Sequence, residues 1–377
     1  MRKLLIIFFL IQFTFAKNYS IPNDSLIHHG IKLIYNLEFE KAKKHFRNLM
    51  TDYPDYPGLR FFLAMVDWWE IILNTENQTY DEIFYDKLED VIFHCDQLLK
   101  QNPKDAVALF YKGGAIGYRG RLRALRESWL KAADDALSAY PIVQEVAKLD
   151  ENNIDVLLGF GIYNYYLSVV PEKFPLIKPF LVLFPKADKN LGLEQLTNVA
   201  YNGKFSRYEA MYFLMTSYLI YENLPYKALE FSKILYETFP NNIVFMRYYA
   251  RLSFLTYNVD NAVYTYEKLL EELANKKYNV SKYFKREVYY YLAASYKIKR
   301  DYNNAINYFD KALEFCKLLN DEKSGFVVLS KLYLANIYDI QNKREEAQKL
   351  YQELLGLPDL YNSHYYANQY LGNPYKE

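Results

Sequence analysis

The stretch EVYYYLAASYKIKRDYNNAINYFDKALEF, residues 287–315, decides the fold of this chain. Apolar and small residues recur in it at helical spacing, first around Leu292 and again around Phe309. The polar residues 300–302 separate the two runs. Alanines lie where two helices would have to approach closely. The stretch therefore predicts two short amphipathic helices joined by a tight turn.

The same helix pair recurs along the second half of the chain. Alanines at equivalent places in the second helix of each pair are separated by 34, 43 and 42 residues; they are Ala228, Ala262, Ala305 and Ala347. A two-helix unit of about 34 residues is the tetratricopeptide repeat. The two wider separations predict longer helices. We therefore expect an all-α tetratricopeptide-type solenoid, a right-handed superhelix of about seven helix pairs.

The repeats are not equally regular along the chain. Residues 17–104 predict N-terminal repeats, 105–200 a modified central region, and 201–377 regular repeats that end in a capping helix. The central region carries a glycine-rich helix and a predicted helix break near Pro141, because proline disrupts helix interiors. No low-complexity linker divides the chain, so we expect one continuous solenoid after residue 16.

A proline-rich but strongly apolar segment follows a helix that we predict to end near Tyr166. Its four prolines, between residues 169 and 186, forbid a long regular helix. We expect a short helix or hairpin-like insertion. This insertion either plugs the junction between the two halves of the solenoid or touches a membrane, a lipid or a partner helix. Its candidate contact residues are Phe174, Ile177, Phe180, Leu183 and Phe184.

Residues 1–16 have the pattern of a signal peptide. Arg2 and Lys3 precede an apolar run, and Ala16 ends a segment that resembles a cleavage site. We therefore expect cleavage after Ala16 and an exported, periplasmic or envelope-associated protein; an uncleaved N-terminal anchor is the alternative. No later stretch reaches about 18 uninterrupted apolar residues, so we expect the remaining chain to be soluble.

No motif in the sequence predicts catalysis, a metal or a cofactor. The five histidines lack zinc-binding spacing, and phosphate-loop and dinucleotide-binding motifs are absent. A net charge of +1 gives no electrostatic footprint for nucleic acid. Cys95 and Cys316 each lie on an apolar helical face, so we expect two buried free thiols; a disulfide is the alternative. We predict that the protein is not an enzyme, with an envelope hydrolase as a remote alternative.

Binding is the remaining class of function. In a stack of helix pairs, the first helix of each unit lines a concave groove. Arg247, Arg251 and Lys297 are candidates to hold a carboxylate or an acidic peptide, because arginine offers bidentate donors; an ordinary solvated face is the alternative. The other predicted groove residues are Phe213, Tyr221, Tyr290, Asn336 and Asp339. The aromatic residues among them are more often packing residues than ligand contacts.

Three stretches carry a resemblance to known proteins. They are FYKGGAIGYRGRLRAL at 110–125, GFGIYNYYLSVVPEKFP at 159–175, and residues 186–242. The last contains a D-x-x-x-G-L-x-x-L helix that begins at Asp188. Together they resemble exported bacterial tetratricopeptide proteins of unassigned function. More distantly, they are similar to the eukaryotic tetratricopeptide-repeat-39 family, which includes an inclusion-clearance protein. The resemblance implies a helical-repeat architecture without known catalysis and assigns no ligand residues.

From the sequence we therefore expect a non-catalytic exported scaffold that binds a protein or peptide partner of the cell envelope. The alternative is a lipid- or membrane-surface-binding protein that uses residues 169–184. We predict no cofactor and no nucleic-acid partner.

Overall fold

The computed structural model describes residues 19–173, 184–276 and 278–377, and these residues form helices without strands. The helices of the first half are α1 (Asp24–Tyr35), α2 (Phe39–Asp52), α3 (Pro57–Leu73), α4 (Asp81–Gln101), α5 (Ala106–Leu125), α6 (Trp129–Leu149), α7 (Leu157–Lys173) and α8 (Lys189–Asn202). Those of the second half are α9 (Arg207–Ile220), α10 (Pro225–Thr238), α11 (Ile243–Leu255), α12 (Val259–Lys276), α13 (Lys282–Ile298), α14 (Tyr302–Leu318), α15 (Gly325–Ile340), α16 (Arg344–Leu355) and α17 (Ser363–Gly372).

Consecutive helices pack against each other in pairs. Among the described residues, eight pairs precede the closing helix α17, one more than the predicted number of about seven. Successive first helices are also in contact, both along α1, α3 and α5 and along α11, α13 and α15. This layering is that of a helical-repeat stack. The predicted all-α architecture is therefore confirmed.

The helix pair predicted from residues 287–315 is present as α13 and α14. Arg300 makes the turn between them with a left-handed φ of 61°. Asp301 then caps α14 by accepting a hydrogen bond from the backbone N–H of Asn304 at 3.2 Å. Helices α12 to α15 have 16 to 18 residues, whereas α9 to α11 have 13 or 14. The longer helices predicted from the wider alanine separations are therefore confirmed.

Two prolines lie inside helices that the sequence predicted to break or to end early. Helix α6 continues through Pro141, and α7 continues through Pro171 to Lys173 instead of ending near Tyr166. Pro141 lies on the exposed side of α6, where water can replace the lost backbone hydrogen bond. Pro171 likewise lies within α7, two residues before the last described residue of that helix, Lys173. Both predicted boundaries were wrong.

Helices α7 and α8 approach each other closely at two glycines. A Cβ atom at Gly192 would lie 2.5 Å from the backbone nitrogen of Tyr165, and one at Gly161 would lie 2.8 Å from Cγ of Leu196. Asp188 caps the start of α8 by accepting two backbone N–H groups. The D-x-x-x-G-L-x-x-L pattern therefore starts α8 and fits it against α7.

Helices α1 and α3 fold back onto the α10–α11 region. The Tyr35 ring at the end of α1 lies 5.2 Å from the Phe239 ring, and its backbone carbonyl accepts a hydrogen bond from Asn242 Nδ2 at 2.7 Å. Trp69 of α3 packs against Phe245 of α11, with ring centroids 5.5 Å apart. These contacts join residues up to 207 positions apart in sequence. First helices that would line an open groove therefore touch each other across it.

The two cysteines lie in different parts of the stack. Cys95 in α4 and Cys316 in α14 are both buried and are not joined by a disulfide. Burial raises the pKa of Cys95 to about 12, so its thiol stays protonated near neutral pH. The predicted pair of buried free thiols is confirmed.

Candidate partner-binding groove

An ion pair is buried where α5 meets α9. The Arg121 guanidinium pairs with Glu209, whose other carboxylate oxygen accepts a hydrogen bond from the Tyr35 hydroxyl at 3.1 Å. The guanidinium also lies 4.6 Å from the Trp68 ring and 4.3 Å from the Phe213 ring. The Glu209 side chain is only 7% exposed. The chain's own side chains thus fill this part of the groove.

Sequence reasoning missed this buried cluster. Arg121 lies in one of the stretches that carry the family resemblance, but its spacing predicts no partner. Glu209 is 88 residues further along the chain, and Tyr35 and Glu209 are 174 residues apart. Such contacts depend on how helices that are distant in sequence pack together, and a local sequence pattern carries no information about that packing.

The three predicted groove aromatics are packed between helices. Phe213 and Tyr290 are each 6% exposed, and the Tyr290 ring lies 5.0 Å from the Phe326 ring. Tyr221 is half-buried after the end of α9, with its ring 5.7 Å from that of Tyr166. All three aromatic residues therefore occupy packing positions, as the sequence analysis considered more common for such residues. Their contact with a partner remains a prediction.

Arg247 and Arg251 lie one turn apart on α11 and point toward the same carboxylate of α13. Their Nη1 atoms lie 3.8 and 3.5 Å from Glu287 Oε2, longer than the roughly 2.7–2.9 Å of a charge-assisted hydrogen bond. Within the described residues, both arginine Nε atoms, Glu287 Oε1 and the Tyr266 hydroxyl on α12 are buried without a hydrogen-bond partner. The Glu287 carboxylate therefore does not satisfy all the hydrogen-bond donors of Arg247 and Arg251.

The two arginines stay charged although they are largely shielded from water. Their side chains are 18% and 28% exposed. Burial acts to lower their pKa values, but the Glu287 carboxylate raises them above the usual arginine value. The rings of Phe284 and Tyr291 lie 4.6 and 5.2 Å from the guanidinium groups. Burial raises the pKa of Tyr266 well above its ordinary value, so its hydroxyl keeps its proton. We name Arg247, Arg251, Tyr266 and Glu287 the Arg247–Arg251 recess. It is rich in donors and suited to a carboxylate.

The other predicted groove residues lie away from the arginine pair. Asn336 and Asp339 on α15 are buried and accept hydrogen bonds from the Tyr351 hydroxyl at 2.9 and 3.0 Å. Lys297, whose side chain is 14% exposed, lies ten residues beyond Glu287 on α13, a rise of about 15 Å along a helix. Lys297 therefore lies apart from the two arginines, and the joint binding of a carboxylate or an acidic peptide by all three remains a prediction.

Most of the predicted apolar insertion falls on residues 174–183, outside the described residues; this includes the candidates Phe174, Ile177, Phe180 and Leu183. Phe184 is half-buried, with its ring 6.3 Å from that of Tyr163. The preceding helical span Ile154–Glu172 is the one span among the described residues that is long and apolar enough to cross a membrane, and 39% of it is buried inside the fold. A core helix of a soluble protein can have the same length and apolar composition.

Two open depressions lie on other surfaces. One of about 590 Å³ is lined by residues of α7, α8 and α9, including Leu193 and Tyr201, and one of about 440 Å³ lies beside Phe93 and Lys112. Neither includes the arginine pair. In the described part of the chain, no group of three or more His, Cys, Asp or Glu side chains is placed to hold a metal ion.

A family model described as Iml2/Tetratricopeptide repeat protein 39 matches residues 125–362. The chain belongs to this family. The resemblance to the tetratricopeptide-repeat-39 family is therefore confirmed, and the match covers the arginine pair on α11 as well as the close contact of α7 and α8. Folds of this type generally bind other proteins.

Solved structures also resemble this family member. The C-terminal part of a TPR repeat-containing protein from Cytophaga hutchinsonii is 18% identical, with a TM-score of 0.36; the match covers 81% of this chain and 98% of that one. The Cut9–Hcn1 hetero-tetramer of APC/C contains a chain that is 12% identical, with a TM-score of 0.46, 94% of this chain and 65% of that chain being covered. A search of curated proteins finds no match to the sequence.

Proposed function

We propose that this protein is a non-catalytic exported scaffold that binds a protein or peptide partner of the cell envelope through the Arg247–Arg251 recess. One observation carries the proposal. Two charged guanidinium groups, whose side chains are 18% and 28% exposed, share a single carboxylate at distances of 3.8 and 3.5 Å. Because Glu287 does not satisfy these partly exposed groups, an acidic side chain of a partner would accept charge-assisted hydrogen bonds from them.

The exported part of this proposal rests on residues 1–16, where a basic start and an apolar run precede Ala16. These residues lie outside the described structure. The absence of catalytic motifs from the sequence supports a scaffold instead of an enzyme, as does the membership of a helical-repeat family.

We expect Arg251→Gln to reduce the capture of a partner from envelope extract about tenfold, because a charge-assisted hydrogen bond contributes about 1.5–3 kcal/mol. The tagged protein would be cross-linked in extract, purified and quantified by mass spectrometry. Lys233→Gln is the matched control. Lys233 lies on α10, its side chain is 58% exposed, and its Nζ forms a long ion pair of 3.8 Å with Glu237.

Thermal unfolding would establish that both variants keep the wild-type fold. Equal capture by the wild type, Arg251→Gln and the double variant Arg247→Gln/Arg251→Gln, with folds intact, would contradict a partner site in the recess. Capture that is lost equally in Lys233→Gln would point to non-specific charge attraction instead.

A second candidate function is binding to a lipid or membrane surface through residues 169–184. The apolar composition of the span Ile154–Glu172 and of the residues that follow it favours this candidate. The lysines that flank the apolar run in sequence would suit an anionic surface.

Under this second candidate, we expect the wild-type protein to float with vesicles that contain phosphatidylglycerol, and Phe180→Asp/Leu183→Asp to remain in the lower fractions, because each buried apolar side chain contributes about 1.5–3 kcal/mol. The control is Phe93→Asp, which alters an apolar side chain that is 64% exposed on α4. If the wild type does not float, or if all three proteins float equally, membrane binding by this segment is excluded.

A further inference from the structure

The residues that follow α17 turn back over α13 and α15. The backbone N–H of Tyr375 donates to Asp339 Oδ2 at 2.8 Å. Arg344 links the end of α17 to Asp339. Its Nη1 donates to Asp339 Oδ1 at 2.8 Å, and its Nη2 donates to the backbone carbonyls of Tyr370 and Leu371 at 2.8 and 2.7 Å. A predicted groove residue, Asp339, is therefore in contact with residues 373–377, named here the 373–377 segment.

The Tyr375 side chain lies over a second predicted groove residue. Lys297 Nζ is 5.4 Å from the centroid of the Tyr375 ring and 5.5 Å from that of Tyr333. The lysine thus lies between two aromatic rings, in the arrangement of a cation–π contact. Burial lowers the pKa of Lys297, which agrees with its shielding by this cover.

The Glu377 side chain completes the contact two residues later. Its Oε2 forms an ion pair with Arg300, whose Nε lies 2.9 Å away, and accepts a hydrogen bond from the Tyr302 hydroxyl at 3.1 Å. Its Oε1 lies 4.0 Å from Lys297 Nζ. Three features of an extended peptide are therefore recognised: a backbone N–H, an aromatic ring and a carboxylate two positions further on.

These contacts hold the segment only weakly. Asn373, Pro374 and Lys376 are exposed, and Arg300 is 72% exposed. Ion pairs at such positions contribute about 1 kcal/mol or less. An extended peptide with the same three features could therefore displace the 373–377 segment without disturbing the helices beneath it.

We propose that the face formed by Lys297, Arg300, Tyr302 and Asp339 is a second binding site, which takes an extended segment of a partner protein with an aromatic residue followed two positions later by a carboxylate. In the free protein the 373–377 segment occupies this site and limits access to it. The inference rests on the proposed scaffold function, because it assumes a protein partner, but it uses none of the residues of the arginine recess.

The test uses a fluorescent peptide with the sequence Asn-Pro-Tyr-Lys-Glu as probe. We expect it to bind a variant that lacks residues 373–377 at least about tenfold more tightly than the full chain, because a tethered segment competes at a high effective concentration. The same gain is expected for Tyr375→Ala/Glu377→Gln, which keeps the chain length if the deletion disturbs folding. A control peptide in which alanine replaces tyrosine and glutamine replaces glutamate is expected to bind neither variant.

Two results would overturn the inference. One is peptide binding by the opened variants that is no tighter than that of the full chain, with unchanged thermal unfolding. The other is binding that survives Lys297→Gln in the opened background, since the peptide would then lie elsewhere. The peptide assay does not depend on Arg251. If Arg251→Gln loses partner capture while the opened variants still bind the peptide, both sites are supported. If the wild-type protein captures its partner but the opened variants do not bind the peptide, the second site is contradicted and the proposed function is not.

Discussion

Gly192→Ala is expected to lower the free energy of unfolding by about 2 kcal/mol or more. The added Cβ would lie 2.5 Å from the Tyr165 backbone nitrogen and 3.0 Å from the Gly161 carbonyl oxygen, and backbone atoms cannot rotate away. Overpacking costs about 1–3 kcal/mol and occasionally more, and a clash with backbone atoms belongs at the upper end of this range, whereas alanine regains only about 1 kcal/mol of helix propensity. The clash therefore outweighs the gain. Urea unfolding followed by tryptophan fluorescence measures the difference.

Gly117→Ala is the matched control in the same assay. Gly117 also lies within a helix, α5, but a Cβ there would meet no atom within 4 Å. This substitution is expected to stabilise the protein by about 0.5–1 kcal/mol, because alanine is the better helix former. If Gly192→Ala were as stable as Gly117→Ala, the close contact between α7 and α8 would not exist as described.

Arg121→Leu is expected to cost about 3–5 kcal/mol of stability, because it leaves the buried Glu209 carboxylate without its charge partner. The neighbouring Tyr35 hydroxyl, at 3.1 Å from Glu209, cannot neutralise that charge. Burial, together with the Glu209 carboxylate, raises the pKa of Tyr35 well above its ordinary value, so the tyrosine stays neutral. Trp68, which lies 4.6 Å from the guanidinium, provides a local fluorescence signal for the unfolding measurement.

Two comparisons separate the charge effect from a loss of packing. Arg121→Leu/Glu209→Gln is expected to recover more than half of the lost stability, since the amide removes the charge and still accepts from Tyr35. Lys41→Leu, at a position that is 74% exposed and paired with Glu38 on the surface, is expected to change stability by less than about 0.5 kcal/mol. A cost for Arg121→Leu no larger than that of Lys41→Leu would refute the importance of the buried pair.

Local patterns predicted the repeat units well. Around Arg300 and Asp301, the turn, the cap and both helices follow from residues only a few positions apart. The wider spacing of Ala262, Ala305 and Ala347 likewise predicted the longer helices. In these places each helix is determined by its own periodicity and by its immediate neighbour, which is all that a sequence pattern records.

Predictions failed where packing between distant parts outweighs local preference. Pro141 and Pro171 lie within helices because one missing hydrogen bond costs less than the packing of those helices contributes. Counting positions on first helices also gave no sign that Trp69 of α3 contacts Phe245 of α11.

The contact of Tyr35 with Asn242 and Phe239 also constrains how the chain acquires its structure. In an ordinary solenoid, each unit needs only its neighbour, so stability is a sum of local terms and folding can spread from any point. Here the first helices find their final partners only after some 200 further residues are available. Such high contact order slows folding. The contacts of Tyr35 and Trp69 with this region therefore form only after α11 has been made, and they are lost when α11 unfolds.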